Sequence, residues 1–426
     1  MVLREATLKD VLAAGQTAED LGISIPLVTD LLLRLIYNEG HVSLGRSAEI
    51  TRIHARALDS ILEQMQYEHI VEVASAGAVG RMSYVYTLTD VGRERAREAF
   101  ERSQYVGPAP VSLERYQLAI ELQTQSRERV NADVVINALS GMVLPDDFHR
   151  RIGPAVNVGR SLFLYGPPGN GKTTVAQAVA DMIARESPIY MPYAVTVGGQ
   201  IVTIYDPLVH RPIPLGPGKS GELGLDKRWG LFQRPTVMVG GELTLEALDL
   251  RYDPVAKYYE APVQMKANGG MLLIDDFGRQ QISPHQLLNR WIVPLESGMD
   301  FLRLRTGQMM EVPFRQMLVF STNLDPKKLV DDAFSRRIQM KVNLESPDAN
   351  RFYQIFLNVC QELNLPFDKD AFVHLVNKWY RATERPMQAV HPRDILRIVV
   401  AMCDYENIPY QLTPELIDEA CESYFV

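Results

Sequence analysis

Apolar and polar residues change their spacing twice along the 426-residue chain. In residues 1–104, apolar residues first recur every three or four positions and then alternate with polar ones, which predicts helices followed by a β-hairpin. Between residues 140 and 344, short apolar runs alternate with helical segments, as is typical of a parallel sheet covered by helices. Residues 345–426 carry helical spacing alone. The pattern predicts an α/β protein in three parts, with residues 105–139 as a linker that begins with a stretch rich in Pro and Gly.

The N-terminal part resembles a winged helix, and its charge bears on what it would bind. Its predicted elements are helices at residues 24–39, 46–52 and 54–67, strands at 70–74 and 82–88, and a helix capped by Thr89. Residues 1–100 hold 10 Lys and Arg against 14 Asp and Glu. In the third helix, Arg56 is offset by Asp59 and Glu63, whereas a DNA reader needs several cations there to neutralise phosphates. A protein-docking or structural role is therefore favoured over DNA binding, which stays open.

The composition is that of a soluble globular protein. The chain is 46% hydrophobic and 23% charged, which is enough for more than one core. A net charge of -8 gives no general attraction to nucleic acid or to an anionic membrane. Cys360, Cys403 and Cys421 have no paired spacing, so neither a disulfide framework nor a zinc site is indicated. Without a signal-peptide core or an apolar run of roughly 18 residues, we expect a cytoplasmic protein with no membrane insertion.

A strand, a glycine-rich loop and a helix follow one another early in the second part. The apolar run SLFLY precedes GPPGNGKTT and then the helical stretch VAQAVADMIA, so the motif G-x-x-x-x-G-K-T stands in the context of a phosphate-binding loop. Glycines let backbone N–H groups turn around phosphates, and the helix N-terminus adds partial positive charge. Lys172 is predicted to bridge the β- and γ-phosphates and Thr173 to hold Mg²⁺. The residues predicted to bind ATP are Gly166, Pro167, Pro168, Gly169, Asn170, Gly171, Lys172, Thr173 and Thr174.

A second apolar strand, GGMLLIDDF at residues 269–277, ends in two acids and has the form of a Walker B segment. Asp275 is placed to orient a water on Mg²⁺, and Asp276 is placed to act as general base for the attacking water. Two carboxylates at the end of a buried strand repel each other unless a cation lies between them, which favours a metal site over an exposed turn. Most proteins with a Walker B segment of this kind carry Glu as the second acidic residue. Asp276 is shorter than Glu, which allows for slow hydrolysis.

From residue 140 onwards, the chain resembles the AAA+ ATPase superfamily. The strand MLVFSTN resembles sensor 1, which implies that Asn323 reaches the γ-phosphate or the attacking water. The stretch VHPRDILRI resembles the sensor 2 helix of a helical lid, which implies that Arg393 contacts nucleotide in cis. Taken singly, Asn323 is also compatible with a turn residue and Arg393 with a surface ion pair. Their order after the two Walker segments favours the nucleotide roles.

The stretch DDAFSRRI at residues 331–338 resembles the arginine-finger segment of the same superfamily. The resemblance implies that one arginine enters a neighbouring subunit's site and stabilises charge on the transferred phosphoryl group. Arg337 is the first choice and Arg336 the second, with a surface ion pair as the alternative for each. A residue acting in trans requires a homo-oligomer, and the resemblance implies a hexameric ring.

Two further segments lie between these motifs. Residues 287–298 are predicted as a helix and 299–314 as a hairpin that turns at Thr306 and Gly307. This hairpin resembles the pre-sensor 1 hairpin of the AAA+ branch that holds MoxR-type chaperones and transcription-activator ATPases, although plain strand packing is an alternative. Residues 189–267 exceed what such a core requires and are predicted to be an insertion. Its last, helical piece carries two tyrosines that either pack in a core, which is favoured, or grip a polypeptide: Tyr258 and Tyr259.

These features together imply a Mg-ATP-dependent ATPase whose client is open. The first hypothesis is a ring-forming motor or chaperone that remodels a protein client, with the acidic N-terminal part as an adaptor. The second is a DNA-directed regulator or loader, which the charge disfavours, as does the position of the winged helix before the core. The third is a nucleotide-gated scaffold that hydrolyses ATP slowly, a hypothesis motivated by Asp276.

Overall fold

A computed structural model describes residues 6–76, 80–125, 129–185, 187–214, 224–325 and 336–425. Within these ranges, buried apolar side chains gather in the N-terminal part, beneath a second sheet, on both faces of a central sheet, and in the C-terminal helices. The mixed α/β architecture with a parallel central sheet agrees with the predicted fold class.

The N-terminal part combines helices with a small antiparallel sheet. Its elements are α1 (Leu8–Val11), α2 (Ile25–Glu39), β1 (Val42–Ser43), α3 (Leu44–Thr51), α4 (Ala55–Tyr67), β2 (Val71–Ser75), β3 (Val85–Leu88) and α5 (Asp90–Arg102). Strand β3 lies between β1 and β2 and is antiparallel to both. Gly40 ends α2 with a φ of 76°, a conformation that glycine adopts without strain. The Thr89 hydroxyl accepts a hydrogen bond from the N–H of Gly92 and so caps α5, as predicted.

Residues 105–139, predicted as a linker, are instead built into the fold. They form β4 (Val111–Ser112), α6 (Leu113–Gln125) and α7 (Ala132–Leu139). The Tyr116 side chain on α6 is fully buried, and its hydroxyl accepts a hydrogen bond of 2.8 Å from Asn268 Nδ2. The Pro- and Gly-rich stretch is therefore only the turn that leads into β4. The apolar face of α6 is buried against the second sheet, and this burial holds the helix in the fold.

The central sheet has five parallel strands in the order β10-β13-β16-β5-β17. These strands and the helices α8 and α9 that precede and follow β5 are α8 (His149–Val158), β5 (Ser161–Tyr165), α9 (Lys172–Ala184), β10 (Thr236–Val239), β13 (Met271–Ile274), β16 (Met317–Thr322) and β17 (Met340–Asn343). Leu162 and Leu164 of β5 pack under α8 and α9, whereas Phe163 faces the opposite core. Burial on both faces explains why this strand is continuously apolar.

Residues 189–267 are not a single insertion, because β10 within them is the edge strand of the central sheet. The other elements of this stretch are β6 (Ile189–Pro192), β7 (Ala194–Val197), β8 (Gln200–Thr203), β9 (Trp229–Phe232), β11 (Arg251–Asp253), β12 (Tyr258–Glu260) and α10 (Val263–Lys266). A second sheet has the order β11-β12-β8-β7-β4, and β6 pairs with β9. The sequence of a single apolar strand such as β10 does not indicate which sheet the strand joins.

Tyr258 and Tyr259 lie on strand β12, so the predicted helical piece is wrong. Tyr259 is 2% exposed, and Tyr258 packs edge-on against Tyr105 with ring centroids 5.4 Å apart. Their alternation between two packed faces is that of a strand in a sheet covered on both sides. Packing in a core, the favoured alternative, is therefore confirmed for Tyr259, whereas Tyr258 is partly buried against the N-terminal core.

A buried arginine joins the N-terminal part to the second sheet. Arg228 is fully buried and donates hydrogen bonds of 3.0 Å to the carbonyls of both Leu21 and Pro110. Its Nη2 also donates to Asp226 Oδ2 at 2.7 Å, so the buried charge is paired. Arg115 contacts the same carboxylate at 3.2 Å. Breaking this network would leave a buried charge unpaired, so the N-terminal part is fixed to the body of the protein.

Helix α11 (Pro284–Ser297) leads into a hairpin of β14 (Met299–Arg303) and β15 (Met309–Pro313). Both elements lie where the sequence predicts them, and Gly307 takes a φ of 87° in the turn. At the hairpin tip, the Arg305 guanidinium lies over the Tyr252 ring, 4.6 Å from its centroid. The tip is therefore packed against the second sheet.

The C-terminal part is entirely helical, as predicted for a lid. It contains α12 (Ala349–Glu362), α13 (Lys369–His374), a π-helical stretch (Leu375–Arg381), α14 (His391–Glu406) and α15 (Pro414–Tyr424). Phe352 and Phe356 of α12 are buried against α14 and α15 in one apolar cluster. Among the residues that the structure describes, no helix combines the length and apolar character needed to span a bilayer.

Candidate nucleotide-binding site

The loop between β5 and α9 turns sharply on three glycines. Gly166, Gly169 and Gly171 have φ values of 139°, 72° and 83°, which L-residues with side chains rarely adopt. A Cβ at Gly166 would lie 2.3 Å from the carbonyl oxygen of Leu344, so no side chain fits there. These glycines therefore give the strand–loop–helix the shape that the sequence motif predicts, with α9 beginning at Lys172.

Lys172 is held by the loop that precedes it. Its side chain is 6% exposed, and Nζ donates hydrogen bonds of 3.1 Å to the Gly166 carbonyl and 2.8 Å to the Pro167 carbonyl. Burial lowers the pKa of Lys172, while the carboxylates of Asp276 and Asp275 oppose that shift. The ammonium group is thus fixed over the loop, where it can receive an anion.

Thr173 and Asp275 meet below this loop. The Thr173 hydroxyl donates a hydrogen bond of 2.9 Å to Asp275 Oδ2. The N–H of Asp275 donates to the Val239 carbonyl at 2.9 Å, which fixes the carboxylate at the end of β13. A hydroxyl and a carboxylate are oxygen donors of the kind that Mg²⁺ takes beside phosphate oxygens and water. The residues present therefore fit a magnesium ion.

Asp276 stands in a strained backbone conformation. Its φ is 49°, a left-handed value that is uncommon for residues other than glycine, and such strain concentrates at functional sites. Asn323, which directly follows β16, donates a hydrogen bond of 3.3 Å from Nδ2 to Asp276 Oδ1. The two residues predicted to act on the attacking water thus contact each other, and the strained turn points the carboxylate at Asn323.

These groups line one cavity of about 400 Å³. Its polar wall includes the glycine-rich loop, Asp275, Asp276 and Asn323. Residues that sequence reasoning missed form the other walls: Gly141, Met142, Val143, Leu144, Ile355, Asn358, Val359, Glu362, Ala389 and Val390. In the sequence, the apolar run MVL ahead of β5 could have indicated one wall of the cavity. No local pattern marks the wall residues on α12. The cavity therefore has a polar end and an apolar end.

The glycine-rich loop is hydrogen-bonded to the C-terminal helices. Asn170 Oδ1 accepts a hydrogen bond of 3.2 Å from the N–H of Ala389, and its Nδ2 donates to Ser346 Oγ at 3.3 Å. The N–H of Val390, immediately before α14, donates to the Gly169 carbonyl at 2.9 Å. The loop thus contacts the segment before α14 and the segment that leads into α12, so its conformation is coupled to both.

The three predicted arginines lie in different places. Arg393, on the first turn of α14, lines the cavity, and its Nη2 lies 3.7 Å from Glu362 Oε2. Arg337 is outside the cavity: its Nε donates to Glu296 Oε1 at 2.9 Å, and its carbonyl accepts a hydrogen bond from Ser161 Oγ. Ser161 begins β5, at the end of the strand opposite the glycine-rich loop. Arg336 is exposed beside it.

The remainder of the predicted arginine-finger segment, residues 331–335, lies outside the described residues. The geometry therefore separates the site residues into two groups. Lys172, Thr173, Asp275, Asp276 and Asn323 meet in one cavity with Arg393, whereas Arg336 and Arg337 do not reach the cavity of their own chain.

A domain of unknown function, DUF8689, matches residues 348–423, which covers the C-terminal helices and is too small a part to show the family of the whole chain. No curated protein matches the sequence.

Among solved structures, NtrX of Brucella abortus in complex with ADP is 15% identical with a TM-score of 0.41. That alignment covers 76% of this chain and 64% of the NtrX chain. The RuvB Holliday junction branch migration motor of Thermotoga maritima is 14% identical with a TM-score of 0.35, and the alignment covers 69% of this chain and 70% of RuvB. Both TM-scores lie below 0.5.

Proposed function

We propose that this chain is a Mg-ATP-dependent AAA+ ATPase. The observation that carries the proposal is the convergence of three pairs on one cavity: Lys172 on its loop carbonyls, Thr173 on Asp275, and Asn323 on Asp276. An anion-binding loop, a pair of magnesium-type ligands and a carboxylate with its orienting amide are the parts that phosphoryl transfer requires. An ordinary surface turn would need none of them.

In this proposal, the nucleotide lies along the cavity with its phosphates on the glycine-rich loop. The apolar end, between Met142, Ile355 and Val390, would hold the base. Bound Mg²⁺, held through Thr173 and Asp275, would neutralise charge on the phosphate oxygens. The volume of about 400 Å³ is in the range of ordinary small-ligand pockets.

The chain's own residues would divide the work of hydrolysis. Asp276 would accept a proton from the water that attacks the γ-phosphorus, and the bond to the β,γ-bridging oxygen would break in line with that attack. Asn323 would position the Asp276 carboxylate and the attacking water through hydrogen bonds. Lys172 would stabilise negative charge on the phosphoryl oxygens, and Arg393 would leave Glu362 to contact phosphate from the lid side.

The same proposal makes the active form a homo-oligomer, most simply a hexameric ring. Arg337 is the candidate to act in trans, with Arg336 second, because both lie at the end of the central strands away from their own nucleotide cavity. The Arg337–Glu296 ion pair would hold that arginine at the surface until a neighbouring subunit arrives. A remote arginine of this kind contributes only if a second subunit brings its own nucleotide to it.

For the client, we propose a protein assembly in the cytoplasm, with residues 1–104 acting as a winged-helix adaptor. Helix α4, which would read DNA, carries Arg56 against Asp59 and Glu63, and these two carboxylates also engage Arg81, at 2.9 and 3.1 Å, so little positive charge is left there to meet phosphates. This supports protein docking over a DNA-directed regulator or loader. The slowly hydrolysing scaffold remains the second candidate because Asp276 is short and strained.

The test is the ATPase rate as a function of protein concentration for wild type, Asp276→Ala and Arg337→Ala, with mass measured by light scattering. We expect a rate per subunit that rises with assembly and falls at least about a hundredfold in both variants. Asp181→Ala, on the exposed face of α9, is the matched control. Stoichiometric ATP binding with negligible turnover at every concentration would favour the scaffold instead.

A further inference from the structure

A second cavity, of about 320 Å³, lies at the opposite end of the central strands from the nucleotide cavity. Its wall includes Arg160 directly before β5, Gln316 directly before β16, and residues 294–298 where α11 ends. The five residues of β5 separate the two cavities by about 17 Å along the strand. This cavity therefore belongs to a different site from the glycine-rich loop.

Gln316 is the unusual residue in this wall. Its side chain is 3% exposed, yet neither Nε2 nor Oε1 has a hydrogen-bond partner among the described residues. Its neighbours fix the backbone, because the N–H of Arg315 donates to Asn268 Oδ1 at 2.9 Å and the N–H of Met317 donates to the Gly270 carbonyl at 2.8 Å. A buried amide without partners costs folding free energy, which a ligand in the cavity would recover.

Among the described residues, the charges around the cavity leave a positive balance. Within the single chain, the Glu296 carboxylate in the cavity wall pairs with Arg337, and Glu121 pairs with Arg315 of the wall at 3.2 Å. Arg129 and Arg160 also line the cavity, and within the described part of the chain neither has an acidic partner. Two guanidinium groups at one cavity, without acidic partners among the described residues, attract an oxyanion, to which arginine donates paired hydrogen bonds.

We propose that this cavity binds a small molecule through a phosphate or carboxylate group. Arg160 and Arg129 would supply charge and donor groups at the mouth, and Gln316 would hydrogen-bond the ligand at the buried end. Phosphate and carboxylate offer the same acceptor oxygens, so both are included. The proposal concerns binding alone and stands whether or not the first cavity hydrolyses ATP.

The first experiment measures the shift in thermal unfolding midpoint with inorganic phosphate or acetate, at ionic strength held constant with chloride. We expect stabilisation of wild type and an apparent affinity about tenfold weaker in Arg160→Gln, because one charged donor is lost. Arg251→Gln, at an exposed position in the second sheet, is the matched control and should respond as wild type does. Lys172→Ala separates the two cavities, since anion binding to the glycine-rich loop needs Lys172.

Gln316→Met gives a readout that a purely structural role would not produce. Methionine has a similar volume and no amide, so the variant should unfold at a higher temperature than wild type in the absence of anion. It should also lose most of the stabilisation that phosphate gives. A structural amide would behave oppositely, with a lower midpoint and an unchanged response to phosphate.

Three results would overturn the proposal. One is an equal phosphate response in Arg160→Gln, Gln316→Met and wild type. Another is complete loss of the response in Lys172→Ala, which would place the bound anion on the glycine-rich loop. The third is binding of a poly-glutamate peptide with no response to phosphate or acetate, which would assign the cavity to a protein partner.

Discussion

Polar groups at the two ends of the central strands differ in whether the protein itself supplies their hydrogen-bond or ion-pair partners. At the carboxyl end, Lys172, Thr173 and Asp276 each have a hydrogen-bond partner from the protein itself. At the amino end, Gln316 is buried without one, and Arg160 has no acidic partner within the described residues. The same five strands therefore present a preorganised site at one end and an unsatisfied site at the other.

This difference decides what mutation should do at each end. Groups that are held in place before the ligand arrives need no reorganisation when it binds, so their loss should reduce function. Groups that lack partners raise the free energy of the folded state until a ligand arrives, so removing them should cost binding and leave stability equal or higher. The predictions below test that contrast, from the largest expected effect of a substitution to the smallest.

The largest effect is expected from Lys172→Ala. Removing the ammonium group from the glycine-rich loop should lower the ATPase rate at least about a hundredfold, because charge on the phosphoryl oxygens loses its main counterion in this chain. The measurement is phosphate release at saturating ATP. The exposed Lys369→Ala is the control, and retained activity in Lys172→Ala would contradict the assignment of the carboxyl end as the preorganised one.

The next prediction uses pH to loosen the helices that close the carboxyl end. His391 is buried at the start of α14, with Nδ1 2.9 Å from the Tyr380 hydroxyl, and burial lowers its pKa to about 4. The unfolded chain, with an ordinary histidine pKa near 6.5, binds the proton first as pH falls. Stability is therefore full above about pH 6.5 and declines towards pH 4, by roughly 3 kcal/mol if the whole shift is realised.

Urea unfolding between about pH 7 and pH 4 measures this decline. His391→Gln should show a shallower dependence, because one of the buried histidines with a lowered pKa is gone, whereas the exposed His285→Gln should follow wild type. Acid should also weaken ATP binding before it weakens the phosphate response of the amino-end cavity, which α14 does not line. An equal loss at both ends would remove the distinction between them.

Asn170→Ala tests whether the C-terminal helices help to preorganise the loop. The substitution removes the hydrogen bonds to Ala389 and Ser346, and we expect kcat/KM for ATP to fall about tenfold with a loss of about 1–2 kcal/mol in unfolding free energy. Asn137→Ala, on the exposed side of α7, is the matched control. An unchanged kcat/KM would mean that the loop keeps its shape without these contacts to the C-terminal helices.

The glycine-rich loop and the two acidic positions after β13 were predictable from the sequence because their chemistry is encoded locally. A phosphate-binding turn needs glycines at fixed spacing, and the structure gives Gly166, Gly169 and Gly171 the positive φ values that this turn requires. Likewise, an apolar strand followed by two aspartates places their carboxylates at the carboxyl end of that strand, and this placement does not depend on the rest of the fold.

The parts that the sequence did not predict depend on contacts between distant residues. Strand β10 joins the central sheet only because Thr236–Val239 pairs with β13. Helix α6 is likewise not predicted, because the second sheet buries its apolar face and Asn268 hydrogen-bonds its Tyr116 hydroxyl, and both partners lie far along the chain. The cavity walls on α12 and the unpartnered Gln316 likewise exist only in three dimensions.

The smallest effect separates strain from chemistry at Asp276, where φ is 49°. Asp276→Gly and Asp276→Ala both remove the carboxylate, so both should lose ATPase activity. Glycine accepts a left-handed φ and alanine does not, so the Gly variant should be about 1 kcal/mol more stable than the Ala variant. At Asp181 within α9, the order should reverse, because a helix favours alanine. If alanine is also the more stable residue at position 276, the turn holds no strain, and only the hydrogen bond from Asn323 positions the carboxylate.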